Sequence, residues 1–313
     1  VSASWGRDET FSVSGSPSNI TLQDCIVSQG LLIHSAGGLM QTDGGVSVFR
    51  SFYADNWMRN PKDKGVHEFT NNVVYNWGSG GGYILGDSAG LSYTNIIGNY
   101  FIAGPNTGTT PSFIRGNLNF NVYADGNLED FDRDGVLDGL PVHPLDQSPV
   151  VPAPVRYPYP EVATLLTADQ AYAHVVAYAG ASLYRDAADT YVFNELASHG
   201  TVGAHIFDES EMGGVGTIEG GLAPQDTDAD GMPDWWESPA GTDPATADNN
   251  LDLNGDGYTN LENYINALAY SGIPGARIDG ITTDTGSSSG DGVTSDDTIV
   301  LRGTAAPNRT LVI

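Results

Sequence analysis

The sequence predicts a mainly β chain: a parallel β-helix over residues 1–220 that ends in helices, a small acidic module over 221–270, and a partial β segment over 271–313. Three observations carry this. Short apolar-polar segments rich in Gly, Asn and β-branched or aromatic residues recur at a loose spacing through the first 125 residues. Helical periodicity begins only at Thr167, and acidic residues crowd together without Lys or Arg from Pro224 to Glu262.

Along the first region, NITLQDCIVSQG, VSVFRSFYADN, HEFTNNVVYNWG and LSYTNIIGNYFIAG look alike. Aligned on the polar residue before each apolar pair, Asp24, Ser51, Asn72 and Asn99 lie 27, 21 and 27 positions apart. That irregularity suits a β-helix, whose strands stack while the loops between them vary, and whose inward Asn or Ser side chains can ladder at the bends. A β-sandwich is the alternative. Residues 140–160 hold too much Pro for regular structure and read as a strap over the surface. Thr167-x-x-Gln170 is a capping box opening a helix that stops at Gly180, and RDAADTYVFNELASHG is a second helix ending at Gly200. Two such helices would cap the end of the coil. The last stretch, with TIVLRG and TLVI, reads as the start of another β domain, so both ends look cut through domains.

The formal net charge is -27, from 39 acidic and 12 basic residues, which argues against nucleic-acid binding because phosphate recognition needs a basic surface. No run approaches the roughly 20 apolar residues of a membrane helix, so membrane insertion is not expected. The single cysteine, Cys25, cannot pair within the chain and reads as a buried strand thiol.

Within the acidic module, Asp226, Asp228, Asp230, Asp234 and Glu237 stand at positions 1, 3, 5, 9 and 12 of an EF-hand-type loop, with Gly231 at 6 and the Met232 carbonyl at 7. Alternate side chains of a tight Gly-bearing turn are what converge on calcium, which takes six to eight oxygens. A second loop offers Asp252, Asn254, Asp256, the Tyr258 carbonyl and Asn260, but has Asn263 where a bidentate Glu belongs, so weaker binding is expected. Asp130-Phe-Asp-Arg-Asp-Gly-Val-Leu-Asp138 repeats the front half without a ligand at position 12, and a structural turn is an equal reading there. The expected cofactor is Ca2+ in a structural role.

Both lysines of the chain and one of its ten arginines fall between Met58 and Lys64. Cations on the coils of a β-helix point along one groove, and a positive groove on an acidic body selects a polyanion with spaced carboxylates. Here VSASWGRDETFSVS, NITLQDCIVSQG, HSAGG, FYADNWMRNP and FTNNVVYNWG, in that order, resemble polysaccharide lyase family 1, the pectate lyases, over about residues 1–215. The resemblance implies a right-handed parallel β-helix that cleaves polygalacturonate by β-elimination with calcium, and it makes Arg59, in Arg59-Asn60-Pro61, the base. A guanidinium ordinarily keeps its proton to above pH 12, roughly, so positive surroundings and an ion on the substrate must help it. The resemblance also makes Lys64 and Lys62 substrate-binding, and matches Asp8 to the first acid of a calcium pair whose second position is Ser12, with Glu9 adjoining. Further calcium-binding acids of that family would lie before Val1, leaving the first coils missing. The module is similar to an EF-hand-like or thrombospondin-3-like tail, and the last stretch resembles a bacterial Ig-like repeat. Together these imply a secreted bacterial protein, part of a longer multidomain chain, with an acidic polysaccharide as partner.

Other functions remain open to the residues. A non-catalytic carbohydrate-binding or adhesive β-helix of a large surface protein accounts for the tail. A hydrolase of the same fold would need paired carboxylates facing the Arg59 groove, and no such pair stands out. His34 and His67 read as turn histidines, and Trp57 and Trp77 as packing residues or sugar platforms.

Overall fold

A computed structural model of the chain describes residues 1–87, 89–182, 184–214, 216–217 and 223–270, and the backbone of two further strands. The chain divides into two compact units, Val1–Ile218 and Glu219–Ile313.

The first unit is a parallel β-solenoid. In one sheet Ser2–Ser4, Ile26–Ser28, Phe52–Ala54, Val73–Tyr75, Tyr100–Ile102 and Leu128–Asp130 stack in parallel, and Leu140–Pro141 ends the sheet antiparallel. The chain alternates between this sheet and a nine-stranded one in which Ser18–Gln23, Leu39–Phe49, Lys62–Thr70, Ser92–Ile97 and Phe120–Asp125 are parallel neighbours. Tyr83–Leu85 and Phe113–Ile114 extend the second sheet from the start of the Lys62 strand. Parallel pairing from coil to coil rules out the sandwich, whose hairpin-linked strands would run antiparallel.

Left-handed backbone makes the bends. Asp24, Arg50 and Asn71 have φ of 51°, 48° and 59°, and Gly98 and Gly126 take 59° and 63° at the same place in later coils. The residue after each forms a ladder. The amide of Cys25 donates to Ser51 Oγ, that of Ser51 to Asn72 Oδ1, that of Asn72 to Asn99 Oδ1 and that of Asn99 to Asn127 Oδ1, at 2.8–3.1 Å. The expected ladder is therefore present, but its first rung is Cys25 rather than Asp24. Asp24 is the left-handed bend residue one place earlier, which the alignment on polar residues could not separate from the rung.

Strand alternation then divides the side chains. Val27, Tyr53, Val74 and Phe101, central in their three-residue strands, point into a core shared with Met40, Val48, Phe69, Tyr83, Ile96 and Phe113. Their neighbours Ile26, Phe52, Val73, Tyr75, Tyr100 and Ile102 point outward, yet are equally buried. Helices α1 (Pro144–Gln147), α2 (Ala168–Tyr178) and α3 (Ala187–Leu196) follow the coils, and α2 and α3 cover this outer face with Val175, Ala179, Val192 and Leu196. The two predicted helices therefore lie along the flank of the first sheet and do not cap the end of the coil. The apolar outward residues of several coils form a stripe that only a flanking element can bury, each large side chain contributing about 1.5–3 kcal/mol. The Thr167–Gln170 capping box closes α2 as expected. The Pro-rich strap does run over the surface, and it also contains α1 and a strand, Val151–Pro152, paired with Asn121–Val122. Beyond that, Tyr157 and Leu166 hydrogen-bond to Asn95 and Asn71 of earlier coils.

In the second unit, α4 (Asp234–Ala240) and α5 (Asn260–Tyr270) each follow one acidic loop, and Trp236 packs on Tyr264 at 5.2 Å between ring centroids. Of the Ig-like segment expected over 271–313, Arg277–Ile281 and Leu301–Thr304 pair antiparallel. The remainder of that segment, including all of TLVI, lies outside the described residues.

Candidate functional site

Three coils meet at Arg59. Isolated parallel bridges join Glu9 to Ala36 and Ala36 to Met58, so the segments carrying Asp8, His34 and Arg59 lie side by side. Arg59 holds a left-handed φ of 59°, a conformation that costs a non-glycine residue free energy and is concentrated at functional positions. What fixes it is backbone bonding: its carbonyl accepts from Gly38 N at 2.8 Å, and a Cβ on Gly37 would stand 2.5 Å from that same oxygen. The glycines of HSAGG therefore permit the close approach of two coils under the arginine. Beneath it, Asn56 and Asn60 bond each other, and Asn56 Oδ1 accepts from Gly30 N.

The guanidinium faces outward with its side chain 21% exposed. It donates to Glu9 Oε1, and its Nη1 lies 3.9 Å from Asp8 Oδ1, which His34 Nδ1 approaches at 2.8 Å. Past Pro61 the strand alternates, so Lys62 and Lys64 point out while Asp63 turns into the core, bonded by the Tyr83 hydroxyl and raised in pKa by burial. Lys62 Nζ lies 3.9 Å from Asp87, which also receives Arg115 at 3.2 Å. Burial lowers the Lys62 pKa, Asp87 opposes this, and the charges of Arg59, Arg115 and Lys64 add to the lowering. The stem of Lys64 lies against Gly90. Arg59, Lys62, Lys64 and Arg115 thus form one cationic strip across successive coils. Arg115 and Asp87 were not singled out from sequence, because only the stacking register places them beside Lys62.

Around Asp8 the donors do not suit a calcium ion held by protein. Glu9 is taken by Arg59, Asp8 sits between the Arg59 guanidinium and the His34 imidazole, and Ser12 Oγ accepts from Leu39 N instead of joining them. The neighbouring histidine His67 is buried with Nε2 against the Lys64 carbonyl, and Trp77 is a core residue that donates to Thr110 O. Cys25 is partly buried with its thiol pKa raised by burial, which disfavours a nucleophile.

The first acidic loop brings four of its expected acids close together. Asp226, Asp228 and Asp230 offer oxygens within 4.8 Å of one another, and so do Asp230, Glu237 and Asp248. Glu237 is fully buried with neither carboxylate oxygen bonded, and burial with the charges of Asp228, Asp230 and Asp248 pushes its pKa up to about 7. A hard divalent ion is the kind of partner that would supply what this carboxyl lacks. Asp248, which lies outside the twelve-residue loop pattern, joins this group from the connection between the loops. Met232 donates its amide to Asp230 Oδ1 and buries its side chain. Two expected side-chain ligands turn elsewhere. Asp234 accepts from the Thr227 amide and hydroxyl, and Asn260 donates to the Asp248 carbonyl, because each begins a helix and ties it to a preceding loop. In the second loop Asp252 accepts from Gly255 and Gly257, while Asn254 donates to Asp256 Oδ2 and the Tyr258 amide to Asp256 Oδ1. Among the described residues no three acids converge there.

No family model matches the chain. Curated fungal relatives do. A protein of Aspergillus fumigatus is 56% identical over 273 residues, covering 87% of this chain and 64% of its own length. Relatives from Aspergillus terreus and Emericella nidulans are 53% and 52% identical and are each covered over 65% of their length. All of these sources are fungal, so the bacterial origin expected from the tail is not borne out. The chain spans just under two thirds of these relatives, and over 87–88% of its own length it is similar to proteins that each carry the name probable pectate lyase C.

Proposed function

We propose that this chain is a pectate lyase that cleaves polygalacturonate by β-elimination, with Arg59 as base and Lys62 and Lys64 holding the substrate. The observation that carries the reading is the outward guanidinium of Arg59 at the head of a cationic strip, in a chain 56% identical to a protein named for that activity. An acidic polysaccharide presents carboxylates at regular spacing, and Lys62 and Lys64 on one strand, with Arg115 directly after a strand two places along the same sheet, offer cations to receive them. The substrate carboxylate held there makes the hydrogen at C5 more acidic. Arg59, as the free base, takes that hydrogen; the C5–H electrons form the C4–C5 double bond, the C4–O bond breaks, and the departing oxygen takes a proton from water. Before this, the substrate must displace Glu9 from the guanidinium. An ion carried in with the substrate would add to the positive surroundings that an arginine base requires; Asp8, whose neighbours are paired elsewhere, does not hold one by itself.

Calcium belongs instead to the second unit on this reading, held by Asp226, Asp228, Asp230, Glu237 and Asp248, where it would neutralise buried carboxylates. An EF-hand-like module, an Ig-like continuation and secretion complete the proposal, since a cell-wall polysaccharide is met outside the cell. Incubating the chain with polygalacturonate while following the absorbance of unsaturated product tests it. The lyase reading expects steady product formation. Retained binding of the polysaccharide without product would favour the carbohydrate-binding alternative.

A further inference from the structure

We propose that Asp130, Asp132 and Asp138 form a site for a divalent cation of the calcium class, which pins the loop closing the last coil of the solenoid. One carboxylate oxygen from each lies within 4.8 Å of the other two. Oxygens gathered this closely can share one ion at calcium–oxygen distances of roughly 2.3–2.6 Å. Asp130 supplies the second observation. It is 3% exposed, fixed as the last residue of its strand by pairing with Ile102, and its Oδ2 is buried without a hydrogen-bond partner. A buried carboxylate oxygen with nothing to accept from is costly unless a cation or donor faces it.

The protein does not supply that cation. Arg133, within the same loop, turns away, donating to Gly108 O at 2.7 Å and lying 5.5 Å from the centre of the Phe131 ring. Among the described residues none of the three carboxylates has an ion pair with Lys, Arg or His. Nor is the loop loosely placed. Gly139 N donates to the Tyr100 hydroxyl at 2.8 Å, and His199 Nδ1 lies 3.3 Å from Gly135 O, so the middle and the far end of the turn are tied to the solenoid unit. Glu129, Asp130, Asp132 and Asp138 line a shallow cleft of about 420 Å³ that admits water to complete the coordination. An all-oxygen, carboxylate-rich set selects a hard ion over zinc or copper.

The inference rests neither on the lyase reading nor on the Asp226 loop. The test is calcium stoichiometry by equilibrium dialysis on the full chain, wild type against Asp132→Asn/Asp138→Asn, two exposed and near-isosteric changes. The double variant is expected to bind one calcium fewer per chain. Hydrogen exchange of the wild type gives a second reading that no variant can confound: calcium should slow exchange across residues 130–142. Equal stoichiometry in the two proteins, or exchange across 130–142 indifferent to calcium, overturns the site.

Discussion

Arg59 is paired to Glu9 in the free protein, so substrate and Glu9 compete for one guanidinium. A partly exposed pair of this kind is worth about 0.2–1 kcal/mol. Glu9→Gln should accordingly lower KM by about 1.5- to 5-fold, a change that steady-state kinetics on polygalacturonate would register; an increased KM would mean that Glu9 instead positions the arginine. A second residue pair carries a pH dependence. Asp55 and Glu195 are buried against each other, and burial first, then their mutual charge for Asp55, raises both pKa values. The folded state thus holds a proton that the unfolded chain has released. The stability this supplies is complete below the ordinary carboxylate range and is lost as pH rises above it. Asp55→Asn should flatten the fall of the urea midpoint as pH rises above the ordinary carboxylate range of about 4; an unchanged slope would contradict the shared proton.

At the scale of elements, the solenoid depends on its polar ladder as much as on its core. Asn99 accepts from the Asn72 amide and side chain, and donates to Phe69 O and Asn127 Oδ1, all buried. Asn99→Ala strands several of these groups and should cost about 2–4 kcal/mol, read from denaturant unfolding; a loss below 1 kcal/mol would show that water replaces the rung. The cap of α2 is more modest, and Thr167→Ala should cost about 1 kcal/mol. Periodicity showed the ladder through Ser51, Asn72 and Asn99, and the capping box showed α2. Cys25 hid the first rung because it is not polar in the way the pattern requires, and the flanking of α2 and α3 was hidden because three-residue strands buried on both faces carry no alternation. For the same reason Arg59, Lys62 and Lys64 could be read from one local stretch, while Arg115 and Asp87 could not: their place beside Lys62 is set by how coils of unequal length stack.

Over the whole molecule, a formal charge of -27 imposes a self-repulsion that cations would relieve. In the second unit the carboxylates of Asp230, Glu237 and Asp248 are buried together, and chelation should make residues 223–270 sensitive to protease while the solenoid core stays resistant; equal digestion with and without chelator would remove the case for an ion there. The acidic first loop was plain from its spacing, although Asp248 was not, since it lies outside the twelve-residue frame. The cationic strip is the exception on this acidic body, and the account turns on it. The most direct test is product formation from polygalacturonate by Arg59→Ala, with its circular dichroism and melting matched to the wild type. A positioned base contributes about 10²- to 10⁴-fold, so kcat should fall by at least a hundredfold with the fold intact. A folded Arg59→Ala variant that keeps more than a tenth of the wild-type rate would contradict the claim that this guanidinium takes the proton.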